Sequence, residues 1–382
     1  MADLPPAEAG FALYVHWPFC TAKCPYCDFN SHVAAHVDQG RWAAAFEREI
    51  ERAARETPDG ILGSIFFGGG TPSLMEPETV ARVLTAARQA WRWSNDCEIT
   101  LEANPTSVEA DRFDGYADIG VNRVSLGIQA LRDDDLRRLG RLHTVAEAQA
   151  ALAVAKERFD RVSFDLIYAR QDQDVAAWRN ELTEAIDLGT DHLSLYQLTI
   201  ETGTAFGDRF AAGGLRGLPD EDRAADLWDV TQELTAKAGL VGYETSNHAR
   251  DGAESRHNLV YWLGGDYVGV GPGAHGRLTI GGTRIATETE LQPSRWLNAV
   301  ERSGSGETSR TALTSQEAVE ERIMMGLRLV DGVPFGDWLS GYECQINELA
   351  ESGLVETQNN RLRLTARGRP LLNAVLRELL TG

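Results

Sequence analysis

The chain has 382 residues, of which 43% are hydrophobic, so it is long enough to bury its own core without disulfide bonds. Its formal charge of −20 disfavours a phosphate backbone as the main partner, and we predict no nucleic-acid binding. No signal-peptide pattern and no run of about twenty apolar residues occurs, so we predict a cytoplasmic protein without a transmembrane segment.

Six short segments rich in β-branched and aromatic residues alternate with helical patterns in the first half of the chain, and each predicts a strand. The predicted strands are Ala12–Trp17, Ile61–Phe67, Glu98–Glu102, Arg123–Gly127, Arg161–Tyr168 and His192–Leu198. Among the helices, Pro77 suits a first turn, and Thr144 with Glu147 has capping-box spacing. Six successive β-α units predict an α/β fold with a parallel sheet.

The regular alternation stops after about residue 210. We predict a helix over 220–240, a linker over 302–307, a helix from Thr314, a hairpin over 352–364 and a last helix over 366–380. Helices plus one hairpin resemble a small winged-helix-like α+β module. We therefore divide the chain into a tail, a core, an extension and a C-terminal module, at residues 1–10, 11–215, 216–300 and 301–382.

Residues of the types that form active and ligand-binding sites lie at or after the ends of the predicted strands. Cysteines follow the first strand, glycines follow the second, and Glu102 and Gln129 lie at or after the ends of the third and fourth. In a β/α barrel the working face is built at the carboxyl ends of the strands. This placement favours a partial (β/α)6 TIM-like barrel over a doubly wound sheet.

Three cysteines lie within eight residues with the spacing Cx3Cx2C: Cys20, Cys24 and Cys27. Thiolates are the ligands of iron–sulfur clusters, and three of them can hold three irons of a cubane and leave the fourth open. Structural zinc usually takes four protein ligands. His16 and His32 flank the loop and offer an alternative zinc site.

The Cx3Cx2C loop after a first strand, with Tyr26 before the last cysteine, resembles the radical S-adenosylmethionine (SAM) superfamily. The resemblance implies a [4Fe-4S] cluster whose open iron is chelated by the amino and carboxylate groups of SAM. It also implies an electron donor such as flavodoxin or ferredoxin. The protein's part would be to hold the sulfonium against the cluster and to exclude competing reactions.

Several residues beyond the cysteines are suited to binding such a cofactor. The glycines of the turn at 68–72 allow the backbone to approach a ligand, and a carboxylate at Glu102 can bind an ammonium or a hydroxyl group. Gln129 brings an amide to the same edge, and Arg141 can meet a carboxylate in bidentate fashion. Asp165 lies inside an apolar strand, where a buried carboxylate needs a partner.

Seven motifs in unchanged order resemble the oxygen-independent coproporphyrinogen III dehydrogenase-like family, over residues 12 to about 276. They are Tyr14-Val-His16-Trp-Pro-Phe-Cys20, the Gly-Gly-Gly-Thr-Pro turn, Leu101-Glu102-Ala-Asn-Pro105, Ser125-Leu-Gly-Ile-Gln129, Gly140-Arg141-Leu-His143, Phe164-Asp165-Leu-Ile-Tyr168 and Tyr196-Gln-Leu-Thr199. The resemblance implies that SAM is surrounded by Tyr14, Tyr26, Gly69, Gly70, Thr71, Glu102, Gln129, Arg141 and Asp165. One departure is the segment Ala169–Gln173, where the family commonly reads Gly-Leu-Pro-Gly-Gln.

Two classes of this family compete, a dehydrogenase that decarboxylates coproporphyrinogen III and a haem chaperone that passes haem to an acceptor protein. Phe29 stands where the dehydrogenase has a fourth cysteine, and the segment before the first strand is shorter than the dehydrogenase extension. The segment His257-Asn258-Leu-Val-Tyr261-Trp262 matches the HNxxYW motif associated with haem binding in the chaperones. These features favour the chaperone, with the dehydrogenase as the alternative.

The resemblance implies a haem site formed by His257, Asn258, Tyr261 and Trp262. A neutral imidazole can ligate haem iron, and aromatic rings offer flat apolar surface to a macrocycle. We predict His257 as the axial ligand, with His275 as second choice, and Arg256 as a partner of a propionate. The sequence leaves the oligomeric state open, with a homodimer among the options.

Overall fold

A computed structural model describes residues 10–381, so the predicted N-terminal tail lies, except for its last residue, outside the described residues. The strands are β1 Phe11–Trp17, β2 Phe19–Cys20, β3 His32–Val33, β4 Ile61–Gly69, β5 Arg92–Ala103, β6 Arg123–Gln129, β7 Arg161–Tyr168, β8 His192–Gln197, β9 Val241–Gly242, β10 Asn247–Ala249, β11 Asp266–Val270, β12 His275–Ile280, β13 Thr283–Thr289, β14 Glu307–Ala312, β15 Val333–Pro334, β16 Val355–Gln358 and β17 Arg361–Leu364. The helices are α1 Gln39–Glu56, α2 Pro77–Ala90, α3 Ser107–Ala110, α4 Phe113–Asp118, α5 Asp133–Arg138, α6 Val145–Arg158, α7 Val175–Asp187, α8 Ala205–Ala211, α9 Glu221–Lys237, α10 Arg256–Trp262, α11 Pro293–Ser303, α12 Ser315–Gly326, α13 Glu343–Glu351 and α14 Leu372–Thr381. No described helix is long and apolar enough to cross a membrane.

Twelve strands form one open sheet in the order β14-β13-β12-β11-β1-β4-β5-β6-β7-β8-β10-β9. Strands β1, β4, β5, β6, β7 and β8 pair in parallel, and β11 adds a seventh parallel strand beside β1. The remaining strands of the sheet pair antiparallel at its two edges. This arrangement is the predicted partial TIM-like barrel, and it brings the carboxyl ends of the parallel strands to one mouth.

All six predicted strands are confirmed, and they correspond to β1, β4, β5, β6, β7 and β8. The capping box predicted at Thr144 is formed, a second capping box at Thr314 begins α12, and Pro77 opens α2. The predicted linker is wrong at both ends, because Arg302 and Ser303 still belong to α11 and Glu307 already begins β14. The last helix begins later than predicted, at Leu372, after a short 3-10 turn that contains Pro370.

The C-terminal module has a hydrophobic core of its own, formed by residues from α12 to α14 and the small sheet β15-β17-β16. The hairpin between β16 and β17 turns at Asn359 and Asn360, which both have positive φ, as a two-residue hairpin turn requires. Arg277 on β12 forms an ion pair with Glu321 on α12, so the module is tied to the edge of the main sheet.

Helix α1 packs on the barrel through Trp42, Phe46 and Ile50, which recur every four residues on its buried face. Glu49 is also fully buried on this helix and accepts the backbone N–H groups of Gly271, at 3.1 Å, and Gly306, at 2.7 Å. Burial raises the pKa of Glu49 to about 7. This carboxyl therefore holds two loops that come from distant parts of the chain.

We expect Glu49→Ala to lower the free energy of unfolding by about 2–4 kcal/mol at pH 5, because two buried N–H groups lose their acceptor. The folded-state pKa lies above the usual value, so the folded protein binds more protons than the unfolded one. The contribution of Glu49 therefore falls as the pH rises from about 4.5 to about 7. Urea unfolding at pH 5 and pH 8, with exposed Glu51→Ala as control, tests this; an equal loss at both pH values would contradict it.

Candidate functional site

The three cysteine thiols face one another in the loop between β1 and α1. Burial and, to a smaller extent, the nearby Cys27 and Cys24 thiols raise the pKa of the Cys20 thiol, and the backbone N–H of Cys27 donates to Cys24 O at 3.1 Å. Thr71 Oγ1 donates to Cys20 Sγ at 3.4 Å, and Arg141 Nη1 donates to Cys24 Sγ at 3.4 Å. Donors of this kind stabilise thiolates, which are the form that binds iron.

These residues fit a cubane cluster better than a single zinc ion. Both ring nitrogens of His16 are engaged, with Tyr14 OH at 3.0 Å and Asn30 O at 2.9 Å. His32 Nε2 is 3.1 Å from Asn30 Oδ1. Within residues 10–381 no three His, Cys, Asp or Glu side chains converge on one ion position. The irons of a cubane stand at separate corners, so its three thiolates need not converge on one point.

The glycine turn after β4 lies against the cysteine loop. Gly70 N donates to Trp17 O at 2.6 Å, and Thr71 N donates to Phe19 O at 2.8 Å. A Cβ on Gly70 would stand 2.6 Å from the carbonyl oxygen of Phe19, and Gly69 has φ +111°. Only glycine fits this close approach, so the turn is fixed beside the thiols.

Two carboxyl groups lie inside the barrel above a buried arginine. Burial and the neighbouring Asp165 raise the pKa of Glu102 to about 8, and burial raises the pKa of Asp165 to about 6. Ser125 Oγ donates to Asp165 at 3.3 Å, which supplies the partner that the buried position requires. Arg123 lies below them and donates to Ser163 Oγ at 2.8 Å. A cationic ligand above Glu102 would favour its ionised form.

Arg141 joins the cysteine loop to the ends of β5 and β6. Its Nη2 donates to Asn104 Oδ1 at 2.6 Å and to Gly127 O at 2.9 Å, while its buried Nε has no partner among the described residues. Gln129 beside it has φ +71°, a strained conformation for a residue with a side chain. An unpaired buried donor and local backbone strain are typical of a ligand site.

The remaining predicted SAM residues lie at the same mouth. Tyr14 is the central residue of β1 and lines the cavity at the barrel mouth, and burial raises the pKa of Tyr26 in the cysteine loop. Two residues of the site were not predicted from the sequence, Asn104 and Arg123. Asn104 links Thr71 and Arg141, and Arg123 lies in the barrel interior. Asn104 lies within the quoted Leu101–Pro105 motif, so the motif itself could have indicated it.

The altered segment after β7 keeps a turn in spite of its lost glycines. Ala169 and Asp172 have φ +59°, and they stand at the two positions where the family commonly has glycine. Arg170 is buried and pairs with Glu181 at 2.5 Å and Asp135 at 2.9 Å. This buried ion-pair network holds the strained loop in place.

A cavity of about 1030 Å³ extends from the barrel mouth to the C-terminal module. Its inner end is lined by Tyr14, Gly69 and Glu102, and its outer end by residues of β12, β13, α12 and the module. Tyr261 and Trp262 of the HNxxYW segment line it as well. This volume is at the upper end of the range for pockets that bind one small molecule, so the cavity has room for two ligands.

His257 and Asn258 are not among the residues that line this cavity. His257 is fully buried beside Phe66, with ring centroids 4.9 Å apart. Its Nδ1 is 2.9 Å from Ser64 Oγ and its Nε2 is 2.7 Å from Tyr261 OH. Burial lowers its pKa to about 3. Iron ligation by His257 would therefore require that the Tyr261 hydrogen bond break.

Two other predicted haem residues are placed differently. His275 begins β12, lines the cavity and has a side chain that is 58% exposed. Arg256 lies outside the cavity lining and forms an ion pair with Asp96 at 2.5 Å. The structure thus brings Tyr261, Trp262 and His275 to one cavity, and leaves His257, Asn258 and Arg256 outside its lining.

Comparison with known proteins gives the following similarities. Residues 14–177 match the model of the Radical SAM superfamily, and residues 313–371 match that of the HemN C-terminal domain. The chain is 39% identical to the bovine Radical S-adenosyl methionine domain-containing protein 1, mitochondrial, over 98% of this chain and 88% of that protein. It is 35% identical to the Heme chaperone HemW of Haemophilus influenzae, over 100% of both chains.

The HemW of Escherichia coli is also 35% identical, over 98% of both chains. Among solved structures, the Coproporphyrinogen III oxidase (HemN) of Escherichia coli superimposes with a TM-score of 0.81 at 22% identity, over 98% of this chain and 91% of that chain. At this sequence identity the structural match supports the fold alone, namely the barrel and the C-terminal module.

Proposed function

The chain belongs to the radical SAM family that includes these HemW relatives, and from that premise we propose that it is a haem chaperone, which binds haem and transfers it to an acceptor protein. The observation that carries the proposal is the similarity to the HemW chaperones over the full length of the chain. The cavity supports it, because Tyr261 and Trp262 offer flat apolar walls beside the barrel mouth.

In this proposal Cys20, Cys24 and Cys27 hold a [4Fe-4S] cluster, and SAM lies against Glu102, Arg141 and the glycine turn. The support is the set of donors around the thiols and the unpaired Nε of Arg141. When bound, the cluster supplies electrons and an open iron site for SAM. A flavodoxin or ferredoxin is the proposed electron donor, a cytoplasmic location remains a prediction, and a homodimer remains one option for the oligomeric state.

His257 supports the haem site from behind the cavity wall in this proposal. His257 holds Tyr261 by a hydrogen bond of 2.7 Å, and Tyr261 in turn faces the cavity. Loss of this support would let the wall of the cavity move, because the Tyr261 hydroxyl would lose its buried partner.

The alternative function is that of an oxygen-independent coproporphyrinogen III dehydrogenase. Phe29, at the position of the fourth cysteine in that class, is 59% exposed at the edge of the cavity. We therefore expect no decarboxylation of coproporphyrinogen III when the reduced, cluster-loaded protein is incubated with SAM under anaerobic conditions.

Transfer is tested directly by mixing the haem-loaded protein with the apo form of a b-type cytochrome. We expect the transfer of haem to be complete and to be slower than the uptake of free haem by the same cytochrome. The absorption spectrum of the cytochrome measures both. Formation of protoporphyrinogen IX in the first experiment would favour the dehydrogenase, and failure of transfer in the second would contradict the chaperone.

A further inference from the structure

We propose that His275, and not His257, supplies the imidazole that binds the haem iron, at the outer end of the cavity between the barrel mouth and the C-terminal module. The inference rests on the proposed haem-chaperone function and refines it by naming the iron ligand. The sequence suggests His257 as the first choice of iron ligand and His275 as the second, whereas the structure favours His275.

The ring nitrogens of His275 are accessible to a ligand in the cavity. Among the described residues, the histidines that line the cavity are His16 and His275. His16 has both ring nitrogens engaged, with Tyr14 OH and with Asn30 O. His275 has a side chain that is 58% exposed, and its Nδ1 lies 3.9 Å from Glu288 Oε1, beyond hydrogen-bond distance. A metal ligand needs a free nitrogen lone pair, and His275 can offer one without rearrangement.

The surroundings of the imidazole are those of a metal-binding histidine. His275 on β12 pairs directly with Glu288 on β13, and its Nδ1 is 3.9 Å from Glu288 Oε1. A carboxylate on the Nδ1 side is a common partner of metal-binding histidines, although 3.9 Å is too long for a hydrogen bond. The arrangement leaves Nε2 for iron.

The wall beside His275 suits a macrocycle with a charged edge. Side chains two residues apart in a strand lie on one face, and Arg277 and Thr279 line the cavity together with His275. Tyr267 pairs with Arg277 on the neighbouring strand, and its ring centroid is 4.3 Å from that of Tyr261. The two rings offer apolar surface to the porphyrin, and Arg277, although paired with Glu321, offers N–H groups to a propionate.

The backbone before His275 is fixed to the cysteine loop. Asn30 Nδ2 donates to Pro272 O at 2.9 Å and to Leu291 O at 2.9 Å. Gly273 has φ +78°, and a Cβ there would stand 2.5 Å from Asn30 Nδ2. The turn therefore fixes the backbone at the start of β12 against the cysteine loop, and His275 lines the same cavity as Tyr14, Gly69 and Glu102.

The test is an anaerobic haem titration of the cluster-loaded protein, comparing wild type, His275→Ala and His257→Gln by the position and intensity of the Soret band. Glutamine at 257 keeps hydrogen-bonding groups near Ser64 and Tyr261, so this variant is chosen to fold. We expect His275→Ala to lose the imidazole-ligated spectrum and to regain it when free imidazole is added. We expect His257→Gln to keep an imidazole-ligated Soret band, even where the loss of support for Tyr261 lowers its affinity for haem, and Glu288→Gln to weaken haem binding by about tenfold.

The thermal unfolding midpoint and iron content of His275→Ala should equal those of the wild type, because the side chain is exposed and outside the cysteine loop. A His275→Ala spectrum identical to that of the wild type would overturn this inference and leave the haem-chaperone proposal intact. Loss of the ligand spectrum in His257→Gln, with His275→Ala unchanged, would assign the iron to His257. Absence of saturable haem binding in the wild type would overturn the proposed function itself.

Discussion

Replacing Cys24 with alanine is expected to abolish cluster binding. Its thiol faces those of Cys20 and Cys27, and two thiolates cannot hold three irons of a cubane. After anaerobic reconstitution the wild type should contain about four irons per chain, and the variant close to none. Iron and sulfide analysis together with the visible absorption of the cluster measure this effect.

Two other cysteines provide matched controls. Cys344 lies exposed on α13, and Cys97 lies buried on β5, both away from the cysteine loop. Cys344→Ala and Cys97→Ala should retain the full iron content. A Cys24→Ala protein that still holds about four irons would show that the cluster ligands lie elsewhere.

The substitution Glu102→Gln is expected to weaken SAM binding by about 10–100-fold at pH 8, which corresponds to about 1.5–3 kcal/mol for a hydrogen bond to a charged group. The amide has nearly the shape of the carboxylate but carries no charge to pair with the ammonium of SAM. Equilibrium dialysis of the cluster-loaded protein against labelled SAM gives the dissociation constant.

The same carboxyl group predicts a pH dependence of SAM binding. Without ligand the pKa of Glu102 is raised to about 8, so at lower pH the group is mostly protonated. Binding of an ammonium requires the ionised form and must release this proton, so the affinity of the wild type should rise by up to about tenfold per pH unit as the pH approaches 8.

The Glu102→Gln variant should lack this dependence, and it also corrects for the titration of SAM itself. Glu78→Gln, an exposed change on α2, should bind SAM as the wild type does. Equal affinity of Glu102→Gln and wild type at pH 8 would remove Glu102 from the SAM site.

Local sequence patterns were sufficient to predict the six parallel strands, because each combines branched and aromatic residues with polar or glycine boundaries. The seventh parallel strand, β11, was missed. Its sequence Asp266-Tyr-Val-Gly-Val270 is short and contains glycine, and its partner β1 lies more than two hundred residues earlier in the chain. Pairing over such a separation leaves no local signal.

The candidate site was likewise predicted from the sequence only in part. The cysteine spacing predicted that the three cysteines lie in one short loop after the first strand, because the spacing alone keeps them near one another wherever the loop lies. The motif around His257 could not show that both ring nitrogens are engaged, since one partner, Ser64, comes from a distant strand. Nor could it show that β12 and β13 place His275 opposite Glu288 at the cavity.

The most direct test of the proposed function is the stoichiometry of haem binding by the wild-type protein, titrated anaerobically with its cluster in place and followed at the Soret band. We expect one saturable site per chain, with a spectrum of imidazole-ligated haem. Absorbance that rises without saturation, or a band no different from that of free haem, would contradict it.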